Sequence, residues 1–298
     1  MDYFGIIKKS YYLSLKHKFL WIFGILVGGY GGFKSFGTSF NSSSVSNNWG
    51  DTFSKSFANT NLTNFWANYA GIFFAIMAIF GVFAIVFFAL SIISQGALIG
   101  STEKFSKNEK ANFKIGFGIG WHNFWRILGV GVIFALMVMA SLIVLIIPVV
   151  ILIIVKAYFF ATVLSILLFF VCLVFWILIG IIAPYSLRIV VLEKIGIFTS
   201  IREGLHLFQR NWGEVIVMYL LLFAIGLGFG ILLLLAIMIV GGILLALGFG
   251  FWLASPLSSV IYGLVIGLAF LITLIIIQGA YNSFTSNVLT LTYLRLKK

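Results

Sequence analysis

A chain of 298 residues in which 62% of the side chains are hydrophobic and 9% charged carries more apolar surface than one soluble core can bury. Its formal charge of +12 lies in short stretches flanking apolar runs, so membrane topology accounts for it and a nucleic-acid surface is excluded. One cysteine, Cys172, inside the apolar run 157–187, excludes a disulfide framework and a cysteine-based metal site.

In chain order, Phe4, Ile7, Tyr11 and Leu15 form a helical stripe that predicts an interfacial amphipathic helix over 3–15, followed by a first span at 19–33. The basic stretch, apolar run and Ser35-Phe36-Gly37 also have the form of a secretory signal, but the long amphipathic lead-in favours a retained span. Residues 34–64, rich in Ser, Asn, Thr and Gly, read as a flexible outer loop before a span at 66–98. A second stripe, Phe113, Phe117, Trp121 and Phe124, predicts an interfacial helix over 112–125, with spans at 127–152 and 158–184 after it. A third, Ile201, Leu205, Phe208 and Trp212, predicts another over 199–212, with spans at 215–240 and 258–280. No Asp, Glu, Lys or Arg occurs in the 80 residues 215–294, where one span takes about 20. The expected fold class is all-α integral membrane: six transmembrane helices as three hairpins, each preceded by a cytoplasmic interfacial amphipathic helix.

Alternating the sides of these spans places 16 of the 19 Lys and Arg on one face, in residues 1–18, 101–126, 186–214 and 295–298. Only Lys34, Lys55 and Lys156 fall opposite. Lys and Arg beside span ends are retained in the cytoplasm, so both termini are expected there, in a multi-pass protein of the cell membrane.

An internal repeat accompanies this pattern. HKFLWIFG at 17–24 and HNFWRILG at 122–129 share His, Phe, Ile and Gly at the same spacing, and HLFQRNWG at 206–213 keeps the His, Phe and Gly. All three histidines would then occupy one repeat position. Residues 92–97 and 276–280 echo each other through Gln95-Gly96-Ala97 and Gln278-Gly279-Ala280, giving three units near 1–100, 101–192 and 193–298 in a single membrane domain.

HKFLWIFG and the segment VVLEKIGIFTSIREGLHLFQRNWGEVI at 190–216 resemble a group of uncharacterised six-helix prokaryotic membrane proteins. They are similar to the membrane domain found beside some glycerophosphodiester phosphodiesterases. The resemblance implies a helical membrane fold and supplies no catalytic residue, because that domain is not the catalytic part.

Among chemically capable residues, His17, His122 and His206 read either as a convergent cluster or as imidazoles on the polar sides of interfacial helices; no repeated carboxylate stands beside them as a partner. Gln95 and Gln278 are candidates for polar helix–helix contacts, since an amide in lipid must be satisfied and the adjoining Gly96 and Gly279 permit close approach. The pairs Gly24/Gly28, Gly96/Gly100, Gly226/Gly230 and Gly263/Gly267 have the same spacing logic. Pro148 and Pro184 can kink their spans. Lys8, Lys9, Lys16, Lys18, Lys114, Arg126, Arg202 and Arg210 flank the amphipathic stripes and are candidate contacts for anionic lipid headgroups.

No zinc-protease motif, paired intramembrane carboxylates or phosphate-cradling loop occurs. The expectation is therefore no catalytic, cofactor or metal residue, and a non-catalytic module that binds membrane lipid, a protein partner or a second copy of itself. A small transporter or channel with an uncharged polar pathway is the alternative, and a membrane enzyme acting through groups at the cytoplasmic surface is the third class.

Overall fold

The computed structural model describes residues 1–28, 62–254 and 256–297, without side chains at 62–69, 245–246 and 248–262. Among the described residues no strand occurs, and most are helical. In chain order the helices are α1 (Tyr3–Lys16), α2 (Phe19–Gly28), α3 (Leu62–Ser106), α4 (Phe113–His122), α5 (Phe124–Ile154), α6 (Tyr158–Leu192), α7 (Ile197–Arg210), α8 (Trp212–Ala254) and α9 (Pro256–Leu296). Within α3, α5, α6, α8 and α9 lie segments long and apolar enough to cross a bilayer, and the chain is an all-α, multi-pass membrane protein. The expected first span is described as helix only to Gly28, and the outer segment expected at 34–64 lies outside the described residues up to 61.

The short helices α1, α4 and α7 form where their stripes predict them, but each ends at a joint. Asp2 caps α1 by accepting from the Gly5 amide at 2.8 Å. At the other end of α1, the indole of Trp21 donates to the Ser14 carbonyl at 2.8 Å, fastening the corner into α2. The joints after α4 and α7 use asparagine. Asn123 donates to the Ile119 carbonyl at 3.0 Å and Asn211 to the Leu207 carbonyl at 3.4 Å, each satisfying a carbonyl of the last helical turn. The helix expected to run unbroken over 112–125 is therefore split at Asn123.

Each short helix lies against the C-terminal part of a long one through small residues four positions apart. Gly116 and Gly120 of α4 pack on α3, and Ser200 and Gly204 of α7 pack on α6. Ser10 and Ser14 of α1 pack on α9, where the Ser14 hydroxyl donates to the Ala280 carbonyl at 3.3 Å. Short side chains let these backbones approach closely. A Cβ on Gly120 would collide with the Ile93 carbonyl oxygen, and one on Gly204 with the Ser186 hydroxyl. Because α1 reaches forward to α9, the first and last helices are joined and the assembly closes on itself.

The C-terminal parts of α3, α6 and α9 contact one another inside this ring of short helices. Leu98, Phe105, Tyr185, Ile189, Val288 and Tyr293 are buried there, against Leu20 and Phe23 of α2 and Val215 and Met218 of α8. The other ends of the long helices are different. Every residue of α3 from 71 to 88 is exposed. At 1.5 Å per residue the 45 residues of α3 extend roughly 68 Å, more than twice a hydrocarbon core of about 30 Å, so one helix can both cross lipid and build the core beyond it. Helices α5 and α6 also hold together away from the core, where Trp176 donates to the Ser141 hydroxyl at 2.8 Å.

The glycine pairs divide accordingly. A Cβ on Gly24 would strike the Gly279 carbonyl oxygen, one on Gly28 the Asn282 amide, one on Gly96 the Gly120 Cα at 2.9 Å, and one on Gly100 the side chain of Ile119. Among the described residues, Gly230, Gly263 and Gly267 face nothing within 4 Å, and Gly226 meets only the Tyr281 hydroxyl at 2.8 Å. Gly120→Ala is expected to lower thermal stability in detergent by about 1–3 kcal/mol through overpacking, whereas Gly118→Ala, whose Cβ meets nothing within 4 Å among the described residues, leaves it unchanged or raises it. Equal melting shifts for the two variants would contradict the close approach.

Candidate functional site

Polar side chains gather in two places: inside the three-helix core and around its rim. In the core, Ser94, Ser101 and Thr102 of α3, Ser186 and Arg188 of α6, and Ser283, Asn287, Thr290 and Thr292 of α9 are all buried. Thr102 donates to Asn287 Oδ1 at 2.6 Å, linking α3 to α9. Ser283 donates to the Leu20 carbonyl at 2.5 Å, and Asn282 to the Gly24 carbonyl at 3.1 Å, linking α9 to α2.

Arg188 is the most demanding member. It is 4% exposed, and it forms no ion pair among the described residues. Its guanidinium donates through Nε to Thr290 Oγ1 at 3.2 Å, through Nη1 to the Pro184 carbonyl at 2.5 Å and through Nη2 to the Ser286 carbonyl at 3.3 Å. Three neutral acceptors on two helices thus stand in for a counter-ion, which only a planar fork of donors can satisfy together. Sequence reasoning placed Arg188 among loop cations. The signal it passed over is Ile189-Val190-Val191-Leu192, four apolar residues after the arginine that carry α6 on by another turn.

The same region is tied at its outer edge. Glu193 accepts from the Tyr293 hydroxyl and from Lys297 at 2.8 Å. Burial disfavours the Glu193 carboxylate, but the hydrogen bonds from Lys297 and Tyr293 outweigh it and hold its pKa below the ordinary value. The tie between α6 and α9 is therefore complete above the ordinary carboxylate pKa and is lost as pH falls through the lower folded-state value.

The rim consists of α1, α4, α7 and the joints after them. Lys8, Lys9, Lys16, Lys18, Lys114, Arg202 and Arg210 are exposed, and Arg126 is half-buried with Nη1 enclosed and unbonded. Beside them stand exposed aromatic residues: Phe4, Tyr11 and Tyr12 on α1, Trp121 and Trp125 around α4, and Phe198 and Trp212 around α7. Lys16 approaches the face of Tyr12, 5.5 Å from its centroid.

The histidines do not share one position. His17 is the joint after α1, stacked on Phe105 with ring centroids 4.0 Å apart; burial, then neighbouring Lys16, lowers its pKa. His122 is the last residue of α4 and exposed, whereas His206 lies inside α7, one turn before its end. Counted from the small-residue pairs, His122 and His206 correspond, because α7 carries about one extra turn before its joint. No three of His, Cys, Asp and Glu come together among the described residues. Gln95 is half-buried. Gln278 is exposed and bonds to Asn282 within its own helix at 3.5 Å, so the crossing contacts there belong to Asn282 and Ser283.

A family model described as a family of unknown function, DUF7544, matches residues 18–296. The chain belongs to that family. The match runs from just before α2 to the last residue of α9, so in this DUF7544 chain it takes in the core, the Arg188 cluster and two of the three short helices. No curated protein and no solved structure matches.

Two measurements follow from this geometry. Arg188→Lys is expected to lose about 2–4 kcal/mol of stability, because one ammonium cannot serve three acceptors, while Arg188→Met, which leaves no charge to satisfy, costs less. Thermal denaturation in detergent ranks the two, and the reverse order would show that the charge itself is needed. Between pH 7 and pH values under about 4.3, wild-type protein is expected to lose more thermal stability than Glu193→Gln; parallel profiles would deny the carboxylate its part in the tie.

Proposed function

We propose that this chain is a non-catalytic membrane module of the cell membrane that uses a basic, aromatic cytoplasmic rim to bind anionic lipid or a protein partner. Its six spans form three hairpins, in units near 1–100, 101–192 and 193–298, and α1, α4 and α7 lie along the cytoplasmic boundary. The observation that carries this reading is the two-sided character of those helices. Their small faces are used up by packing, and what they leave exposed is Phe4, Tyr11, Trp121 and Phe198 interspersed with Lys8, Lys9, Lys114 and Arg202. Water suits the cations and not the rings; hydrocarbon suits the rings and not the cations. The headgroup layer suits both. The charge distribution and the resemblance to a phosphodiesterase-associated membrane domain support the same orientation.

A small transporter is the second reading, favoured by Arg188 and the polar residues around it. Against it, the guanidinium is engaged by neighbouring helices and all the spans lack carboxylates.

Topology and lipid preference test the proposal separately. With Cys172 replaced by Ala, a cysteine at Ser44 is expected to react with an impermeant reagent from outside and one at Lys107 is not; the opposite pattern rejects the orientation. In bilayers, spin-labelled phosphatidylglycerol is expected to be enriched over phosphatidylcholine around the protein. Neutralising Lys8, Lys9, Lys16 and Lys18 is expected to weaken that preference. Unchanged selectivity would remove the rim from the function.

A further inference from the structure

A groove of about 410 Å³ opens at the rim between the last turns of α3, the exposed side of α4 and the end of α6. That volume lies in the range of small-molecule sites. Its apolar wall is Ile115, Ile119, Val191 and Leu192; its polar wall is Glu103, Lys104, His122, Asn123 and Lys194.

The polar groups are unequally occupied. Glu103 accepts from Lys107 at 2.7 Å, and Lys104 is 3.5 Å from Glu109. Lys194 and His122 have no hydrogen-bond or ion-pair partner among the described residues. Asn123 is 3% exposed; its Nδ2 is spent on the Ile119 carbonyl and its Oδ1 has no donor. An enclosed acceptor without a partner costs about 1–3 kcal/mol, which a ligand hydroxyl would recover. A ligand that meets the groups left over from these pairs therefore brings acceptors to Lys194 and His122, with Lys104 beside them, and a donor to Asn123 Oδ1.

Resting on the reading of this face as a lipid-contacting rim, we propose that the groove is a specific site for a phosphate ester with a neighbouring hydroxyl, as in a phosphatidylglycerol headgroup. The phosphate lies between Lys194, Lys104 and His122, a headgroup hydroxyl donates to Asn123, and the start of the acyl chains runs over Ile115, Ile119, Val191 and Leu192. Glycine shapes the site: a Cβ on Gly118, which lines the groove, meets nothing within 4 Å. The space beside α4 is thus left for a ligand.

The full chain in detergent is titrated calorimetrically with dihexanoyl-phosphatidylglycerol, dihexanoyl-phosphatidylcholine and glycerol 3-phosphate, each kept monomeric. Saturable binding of the glycerol lipid is expected, about tenfold tighter than the choline lipid, as for one hydrogen bond to an enclosed acceptor that the choline headgroup cannot make. Gly118→Leu, which fills the groove without a backbone clash, is expected to abolish it. Lys194→Asn removes the charge while tolerating the backbone φ of 57° at that position, and is expected to weaken binding about tenfold. Glycerol 3-phosphate binding as tightly as the lipid, with the same response to both variants, supports the site and assigns it to a soluble phosphate ester. Equal binding of the choline lipid, no saturable binding, or a glycerol-lipid affinity untouched by Gly118→Leu each overturns the site. The rim reading fails independently, if neutralising Lys8, Lys9, Lys16 and Lys18 leaves bilayer selectivity unchanged while the groove titration persists.

Discussion

Close backbone approach between a short helix and the C-terminal part of a long one is the contact on which the rest of the structure depends. It is made where Ser10 and Ser14, Gly116 and Gly120, and Ser200 and Gly204 present faces with almost no side chain. Small residues bring the two helices within reach of van der Waals contact and of hydrogen bonds between them. Three such contacts hold the C-terminal parts of α3, α6 and α9 together, and the one between α1 and α9 closes the set.

A division of labour along the long helices follows from that closure. Where they converge, side chains are buried as in a soluble protein, and serine, threonine and asparagine find partners across helices. Farther along, α3 and much of α9 turn bulky apolar side chains outward, where lipid is the natural solvent for them. Arg188 sits in the convergent part, where carbonyls and a hydroxyl of two helices can reach it. That neighbourhood makes an unpaired buried cation tolerable.

Much of the architecture was legible because it is written in periodicity. The charge-free stretch at 215–294 implies lipid-crossing helices, and the stripes through Tyr11, Trp121 and Leu205 locate the short helices within a few residues. What was not legible depends on which faces meet. Gln278 has the residue type of a helix–helix contact, yet it points along its own helix while Asn282 crosses. His17 matched the repeat by letter but forms a joint, whereas His122 and His206 lie within helices, two residues after their small-residue pairs. Arg188 read as a loop cation because charge was counted from the edge of the hydrophobic run, and helices here do not stop at that edge. Of the glycine pairs, Gly24/Gly28 and Gly96/Gly100 differ from Gly263/Gly267 in whether a described neighbouring helix arrives, by backbone at Gly24 and Gly96 and by side chain at Gly28 and Gly100, which spacing alone does not encode.

Closure between the two ends of the chain is most directly tested by cysteine pairing. In a background with Cys172 replaced by Ala, cysteines at Ser14 and Ala280, where the serine hydroxyl meets the opposing carbonyl at 3.3 Å, are treated in native membranes with a short bifunctional thiol reagent. An efficient crosslink within one chain is expected, seen as a compact, faster-migrating monomer. No crosslink, or a crosslink formed only between two chains, would contradict it.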